Sequence, residues 1–134
     1  MNIPTEIEKF ILGADSKALA TIGTDLQSLN VVPVSTIKIS GDKILLVNYF
    51  MGKTLENIQN NPHICFTCWK GLAGYKINAI AEHITDGKVF DGIKSWVAEI
   101  LPDRTVRGVL ILTPTEIFDI SATAKTPGAK ILCN

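Results

Sequence analysis

Two stretches of the chain are apolar on both faces of an extended backbone, and this pattern restricts the fold most. In 29–40, Leu29, Val31, Ile37 and Ile39 oppose Val32 and Val34; in 43–49, Ile44 and Leu46 oppose Leu45 and Val47. A strand with one wet face alternates apolar and polar residues. Apolarity on both faces implies that one face lines a barrel and the other lies under a helix or a second subunit. A chain of 134 residues has little material to cover both, which predicts a dimer.

The remaining segments read as short elements around these strands. Ile3, Ile7, Phe10, Ile11 and Ala14 recur at helical spacing and Gly13 suits a stop, predicting a helix over 4–13. Further helices are expected over 51–60, with Leu55 and Ile58 on one face, and from a cap at Asp86 to about 101. The last carries an apolar stripe of Val89, Phe90, Ile93, Trp96, Val97, Ile100 and Leu101, which makes Trp96 a core residue. Seven strands are predicted, over 17–23, 29–40, 43–49, 63–69, 75–85, 106–113 and 115–121, the final two separated at Pro114. Short turns between the early strands imply antiparallel pairing. Pro33 falls inside the second strand and belongs at an edge, a bulge or a point where the ladder opens, where a ligand often meets backbone. The tail, 122–134, has no clear period. With no repeat or linker, one domain over 1–134 is expected, its core spanning about 5–121.

Lys plus Arg is 13 and Asp plus Glu is 13, so the net charge is zero. That argues against a polybasic nucleic-acid binder, and Arg104 and Arg107, the only two arginines, form no cluster for reading phosphate backbones. A small site for one anion is not excluded. No apolar run reaches the length of a membrane span, and the N-terminus lacks the basic start and long apolar stretch of a signal peptide; the expected location is cytoplasmic. Cys65 and Cys68 have C-x-x-C spacing but sit in a predicted strand, His63–Trp69, where residues three apart face opposite sides. They read as reduced core cysteines rather than a redox pair. Zinc would need two further ligands, and His63 and His83 are isolated, so no metal site is expected.

The most informative stretch is Leu46-Val47-Asn48-Tyr49-Phe50-Met51-Gly52-Lys53-Thr54-Leu55-Glu56-Asn57-Ile58. A strand ends, a Gly-bearing turn follows, and a helix opens with Lys53-Thr54. Unpaired N–H groups and a partial positive charge mark a helix start; an ammonium and a hydroxyl beside them make a phosphate-sized anion site. The Walker pattern is absent. Spacing alone favours the plainer reading, a solvated Lys53 beside a helix cap at Thr54.

The order of elements and the local wording shift that balance. Leu19-Ala20-Thr21-Ile22-Gly23-Thr24, Leu29-Asn30-Val31-Val32-Pro33-Val34, Val47-Asn48-Tyr49-Phe50-Met51-Gly52-Lys53-Thr54 with Asn57 and Asn60-Asn61-Pro62, and Gly74-Tyr75-Lys76-Ile77-Asn78-Ala79-Ile80-Ala81-Glu82 together resemble the pyridoxamine-phosphate-oxidase-like, FMN-binding split-barrel flavoproteins, over about residues 5–121. The resemblance implies a mainly β fold with flanking helices, an antiparallel, Greek-key-like split barrel, working as a homodimer with FMN at the interface. It implies that Lys53 and Thr54, preceded by Met51 and Gly52, hold the FMN phosphate. Val47, Asn48 and Tyr49 would line the ribityl chain and flavin edge. The backbone of Val32, Pro33, Val34 and Ser35 would face the ring, and Gly74 and Tyr75 would approach from the other subunit.

It also implies electron or hydride transfer through the flavin, with NADH, NADPH or a small redox partner, and no catalytic side chain is named. Family members often carry Ser-Arg before the phosphate lysine and an Arg on the second strand; Met51-Gly52 and Pro33 stand at those places, implying fewer cations at the phosphate. The tail 124–130 lacks the Arg and His that bind pyridoxal, so pyridoxamine-phosphate oxidation itself is not expected. The alternatives are a deazaflavin or haem in the same fold, or a binding or sensing dimer without turnover.

Overall fold

Pro33 breaks the long apolar run 29–40 in two. In the computed structural model, which describes residues 2–122 and 128–133, β2 (Leu29–Pro33) and β3 (Ile37–Ser40) are separate strands. They lie at opposite ends of the sheet path β2-β1-β5-β6-β7-β4-β3, whose other members are β1 (Ser16–Ile22), β4 (Lys43–Asn48), β5 (His63–Lys70), β6 (Ala73–Ile84) and β7 (Gly108–Asp119). Proline has no N–H for a ladder, so the chain leaves β1 there and crosses to β4. The Val34 N–H still donates to the Lys17 carbonyl, and the Thr36 carbonyl already accepts from Val47. All pairings are antiparallel. A sheet whose two end strands are joined by a three-residue crossover is a split barrel.

The two-faced pattern of β4 is explained directly. Ile44 and Leu46 point into the barrel core with Leu19, Phe66, Ile77, Leu110 and Ile117. Leu45 and Val47 point outward and are covered by α3 (Gly87–Ile100), through Ile93 and Val97. Helix α1 (Thr5–Gly13) buries Ile7 and Ile11 in the same barrel core, which Ile3 and Ala14 join from just outside its ends. On β2 the outer face stays uncovered within the chain, with Leu29 81% and Val31 66% exposed.

Several expectations are corrected. The last two strands are one, because β7 runs through Pro114 on a bulge: Asn78 pairs with Glu116 and Ala79 with Pro114, leaving Thr115 as the extra residue. Its hydroxyl donates to the Asn78 carbonyl at 3.1 Å, holding the bulge. A short strand in the tail, β8 (Lys130–Cys133), pairs with β7, so the described residues form eight strands rather than seven. Residues 123–127 of the tail lie outside the described residues. Asp86 occupies the N-cap position of α3 but makes no side-chain capping bond. The stripe on α3 is buried only at its centre: Val89, Ile100 and Leu101 are exposed and Trp96 is half-buried.

Candidate functional site

Helix α2 (Lys53–Asn60) begins where the sequence pattern places it. The lead-in from β4 is shaped by Asn48, whose Oδ1 accepts the Met51 N–H at 2.8 Å. Its Nδ2 therefore faces His83 Nε2, 3.1 Å away. That nitrogen must accept, so the network assigns His83 as neutral with its proton on Nδ1; burial lowers its pKa, in the same sense. The Tyr49 hydroxyl donates to Thr36 Oγ1 at 2.9 Å, tying the lead-in to the crossover.

The N-cap of α2 is Gly52, with no side-chain capping bond, and nothing lies within 4 Å of the position a Cβ would take. Free N–H groups thus face open space beside Lys53. The Lys53 ammonium meets Glu56 at 3.4 Å, with both side chains more than half exposed, a pairing weak enough to leave its charge available. Thr54 is buried and is not the cap. Its hydroxyl accepts from Asn30 Nδ2 at 3.0 Å, and that amide also reaches Thr21 at 3.2 Å. Asn57 donates to the same Thr21 hydroxyl at 3.0 Å, and its Oδ1 is buried without a partner among the described residues. This network clamps α2 onto β1 and β2, so the helix start has a fixed position.

A cleft of about 290 Å³ opens above it. Of the residues singled out from the sequence, Val32, Pro33, Val34, Ser35, Val47, Tyr49, Met51, Gly52, Lys53 and Thr54 line it. Asn48 stands behind the wall, where it orders the lead-in. Gly74 and Tyr75 do not line this cleft within one chain: Gly74 borders a separate shallow pocket with Trp69, and Tyr75 packs edge-on against Phe10 at 5.1 Å between ring centroids.

Two lining residues escape the sequence reading, Phe50 and Arg104. Phe50 is 81% exposed. Arg104 comes from the loop after α3 and lies over the Tyr49 ring at 5.1 Å, while Arg107 lies over Phe50 at 5.2 Å. Arg104, from a distant loop, is thus a cation at the cleft wall beside the position where the second strand carries Pro33. The only signal in the sequence was that Arg104 and Arg107 bracket a short segment before an apolar strand.

The cysteines and the other histidine lie elsewhere. Cys68 is in the barrel core, where burial pushes its thiol up to about 11. Cys65 faces the opposite side of β5, also raised by burial. His63 is exposed at the start of β5. Among the described residues no group of three or more His, Cys, Asp or Glu is placed to hold a metal, and no helix is long and apolar enough to cross a membrane.

The chain is thus a mainly antiparallel split barrel with an uncapped, lysine-bearing helix start at its mouth. The chain belongs to the pyridoxamine 5'-phosphate oxidase family, whose model matches residues 3–121. It is 28% identical over 98 residues to an uncharacterized protein of Methanocaldococcus jannaschii, a match that spans 69% of this chain and 65% of that protein's length. Among solved structures it resembles HupZ of Group A Streptococcus, with a TM-score of 0.79 and 23% identity over 92% of this chain and 98% of the other. It also resembles an FMN-binding protein of Syntrophomonas wolfei, with a TM-score of 0.76 and 17% identity over 89% and 87%. The same fold occurs in an F420 reductase, TM-score 0.65, and in HutZ, the haem storage protein of Vibrio cholerae, TM-score 0.69.

Proposed function

We propose that the cleft holds FMN and that the protein is a flavoprotein acting in electron or hydride transfer. The observation that carries this is the helix start itself: uncapped N–H groups and open space over Gly52, at a cleft whose lining includes Lys53 and Arg104. This donor set fits a phosphate monoester dianion. The backbone of Val32–Ser35 and the side chains of Val47 and Tyr49 supply the apolar and hydrogen-bonding wall for the rest of the cofactor. The family match and the FMN-binding neighbour support the same reading. Bound FMN would supply the redox chemistry; Lys53, Thr54 and Arg104 would hold its phosphate, and the crossover would set the ring's orientation.

A homodimer is part of the proposal. Leu29, Val31 and Phe50 leave large apolar surface exposed on one chain, and the cleft is open rather than enclosed, which fits a second subunit completing it. In that assembly Gly74 and Tyr75 would come from the partner. One domain, a cytoplasmic setting, and NADH or NADPH as donor complete the reading.

The absorbance spectrum of the protein as isolated tests the cofactor: a flavin spectrum is expected, while a haem or deazaflavin spectrum overturns the FMN assignment. Lys53→Glu is expected to weaken FMN binding by about 1.5–3 kcal/mol or more, the scale of a charge-assisted hydrogen bond; unchanged affinity refutes the phosphate anchor. Sedimentation at micromolar concentration should give a dimer, and a monomer removes that part of the proposal. Bleaching by NADH or NADPH, then reoxidation by an added acceptor, distinguishes turnover from sensing.

A further inference from the structure

On the far side of the crossover from the cleft lies a second groove of about 490 Å³. Trp96, Ile100 and Leu101 of the α3 end form one wall, Leu12 another, and Ser35 to Ile37 the partition. Ser35 and Arg104 border both spaces. No carboxylate lines the groove, whereas Lys17 and Arg104 do, and Lys38 Nζ sits 4.9 Å from the centre of the Trp96 ring.

The ion pairs found among the described residues are Lys43–Asp42, Lys53–Glu56 and Lys130–Glu116, so none of these three cations is in one. Lys17 donates to the Ala14 carbonyl at 2.7 Å just beyond α1, and the Arg104 guanidinium lies over the Tyr49 ring. The groove lining therefore carries two cations and no carboxylate beside a half-buried indole, with the Lys38 ammonium over the face of that indole.

We propose that this groove is a binding site for a planar aromatic anion, stacked along Trp96 between apolar walls with its acid group toward Lys17, Lys38 and Arg104. Arg104 borders both spaces and is shared with the proposed phosphate site, so Lys17 and Lys38 are the cations that serve this groove alone. A ligand there lies against the other face of the three-residue partition, next to the proposed flavin.

The test uses the two indole N–H signals of the full chain in a ¹⁵N–¹H spectrum, assigned with Trp69→Phe, and 2-naphthoate as the probe. The Trp96 signal should shift saturably while that of Trp69 stays. 2-Naphthalenemethanol, the neutral compound with the same ring, should bind more weakly. Lys38→Gln removes an exposed side chain from an edge strand and should weaken naphthoate by about threefold, the scale of one exposed charge pair. Lys43→Gln, a control lysine paired with Asp42, should not. A Trp96 signal unmoved at millimolar naphthoate, equal binding of the neutral analogue, or loss of binding with Lys53→Gln but not Lys38→Gln would each overturn the proposal.

Discussion

Gly108 tests the local packing that shapes the cleft. It opens β7 opposite Asn48, and a Cβ built on it overlaps His83 Nε2, lies 2.7 Å from Cε1 and sits 3.1 Å from the Ile84 carbonyl. Its φ is not positive, so alanine is conformationally acceptable; the main obstacle is the imidazole, with a tight approach to the Ile84 carbonyl beside it. Overpacking of this kind costs about 1–3 kcal/mol. Displacing the ring also breaks the bond to Asn48, a net of about 0.5–1.5 kcal/mol, and strands the Asn48 amide, at about 1–3 kcal/mol. These routes overlap, since relieving the clash is what breaks the bond. The reduced entropy of the unfolded alanine chain returns about 0.4–1 kcal/mol. The expected loss for Gly108→Ala is therefore about 2–4 kcal/mol.

In a His83→Ala background the imidazole clash is gone and only the tight approach to the Ile84 carbonyl remains, so the same change should cost about 1 kcal/mol or less. Urea unfolding of the wild type, the two single variants and the double variant, followed by tryptophan fluorescence, measures the coupling. It should be about 2–3 kcal/mol. An equal cost of Gly108→Ala with and without His83 refutes the reasoning.

Further outcomes follow from the same geometry. His83 has a pKa below its ordinary 6.5 because burial disfavours the cation; the unfolded chain binds the proton first, so stability is complete above 6.5 and falls as pH drops below it. Urea midpoints at pH 7.5, 6 and 5 should show that slope, and His83→Gln should flatten it. Cys68, with its thiol at about 11, should resist a disulfide-exchange reagent in the native Cys65→Ser, Cys133→Ser protein and react on unfolding; rapid native labelling contradicts its place inside the barrel. Phe66, fully buried in the core, should cost about 3–5 kcal/mol on conversion to Ala, read by the same urea assay.

What the sequence made legible was periodic or local. Helix α1, the start of α2 and the two-sided burial of β4 all follow from spacing within one segment. Pro33 marked the opening of the ladder, although not that the two halves of its run lie at opposite ends of the sheet, because that depends on which strands they meet. Pro114 misled for the complementary reason: a bulge at Thr115 lets the strand absorb a residue without an N–H. β8 is four residues with no period long enough to read. In the cleft, the Lys53-Thr54 side was legible because it is contiguous. Arg104 and the Asn48–His83 pair were not, since they come from loops and strands far apart in the chain and only the fold brings them together.

The crossover at 34–36 has a mechanical meaning. β2 and β3 are the ends of the strand path and are linked by the chain itself, not by ladder hydrogen bonds. Widening the barrel at this seam therefore turns a few backbone torsions and tears no paired strands apart. The ribbon of residues that separates the two recesses is thus a seam closed by the chain itself. The start of α2, riveted to β1 and β2 through Thr21, Asn30 and Asn57, is held independently of that seam.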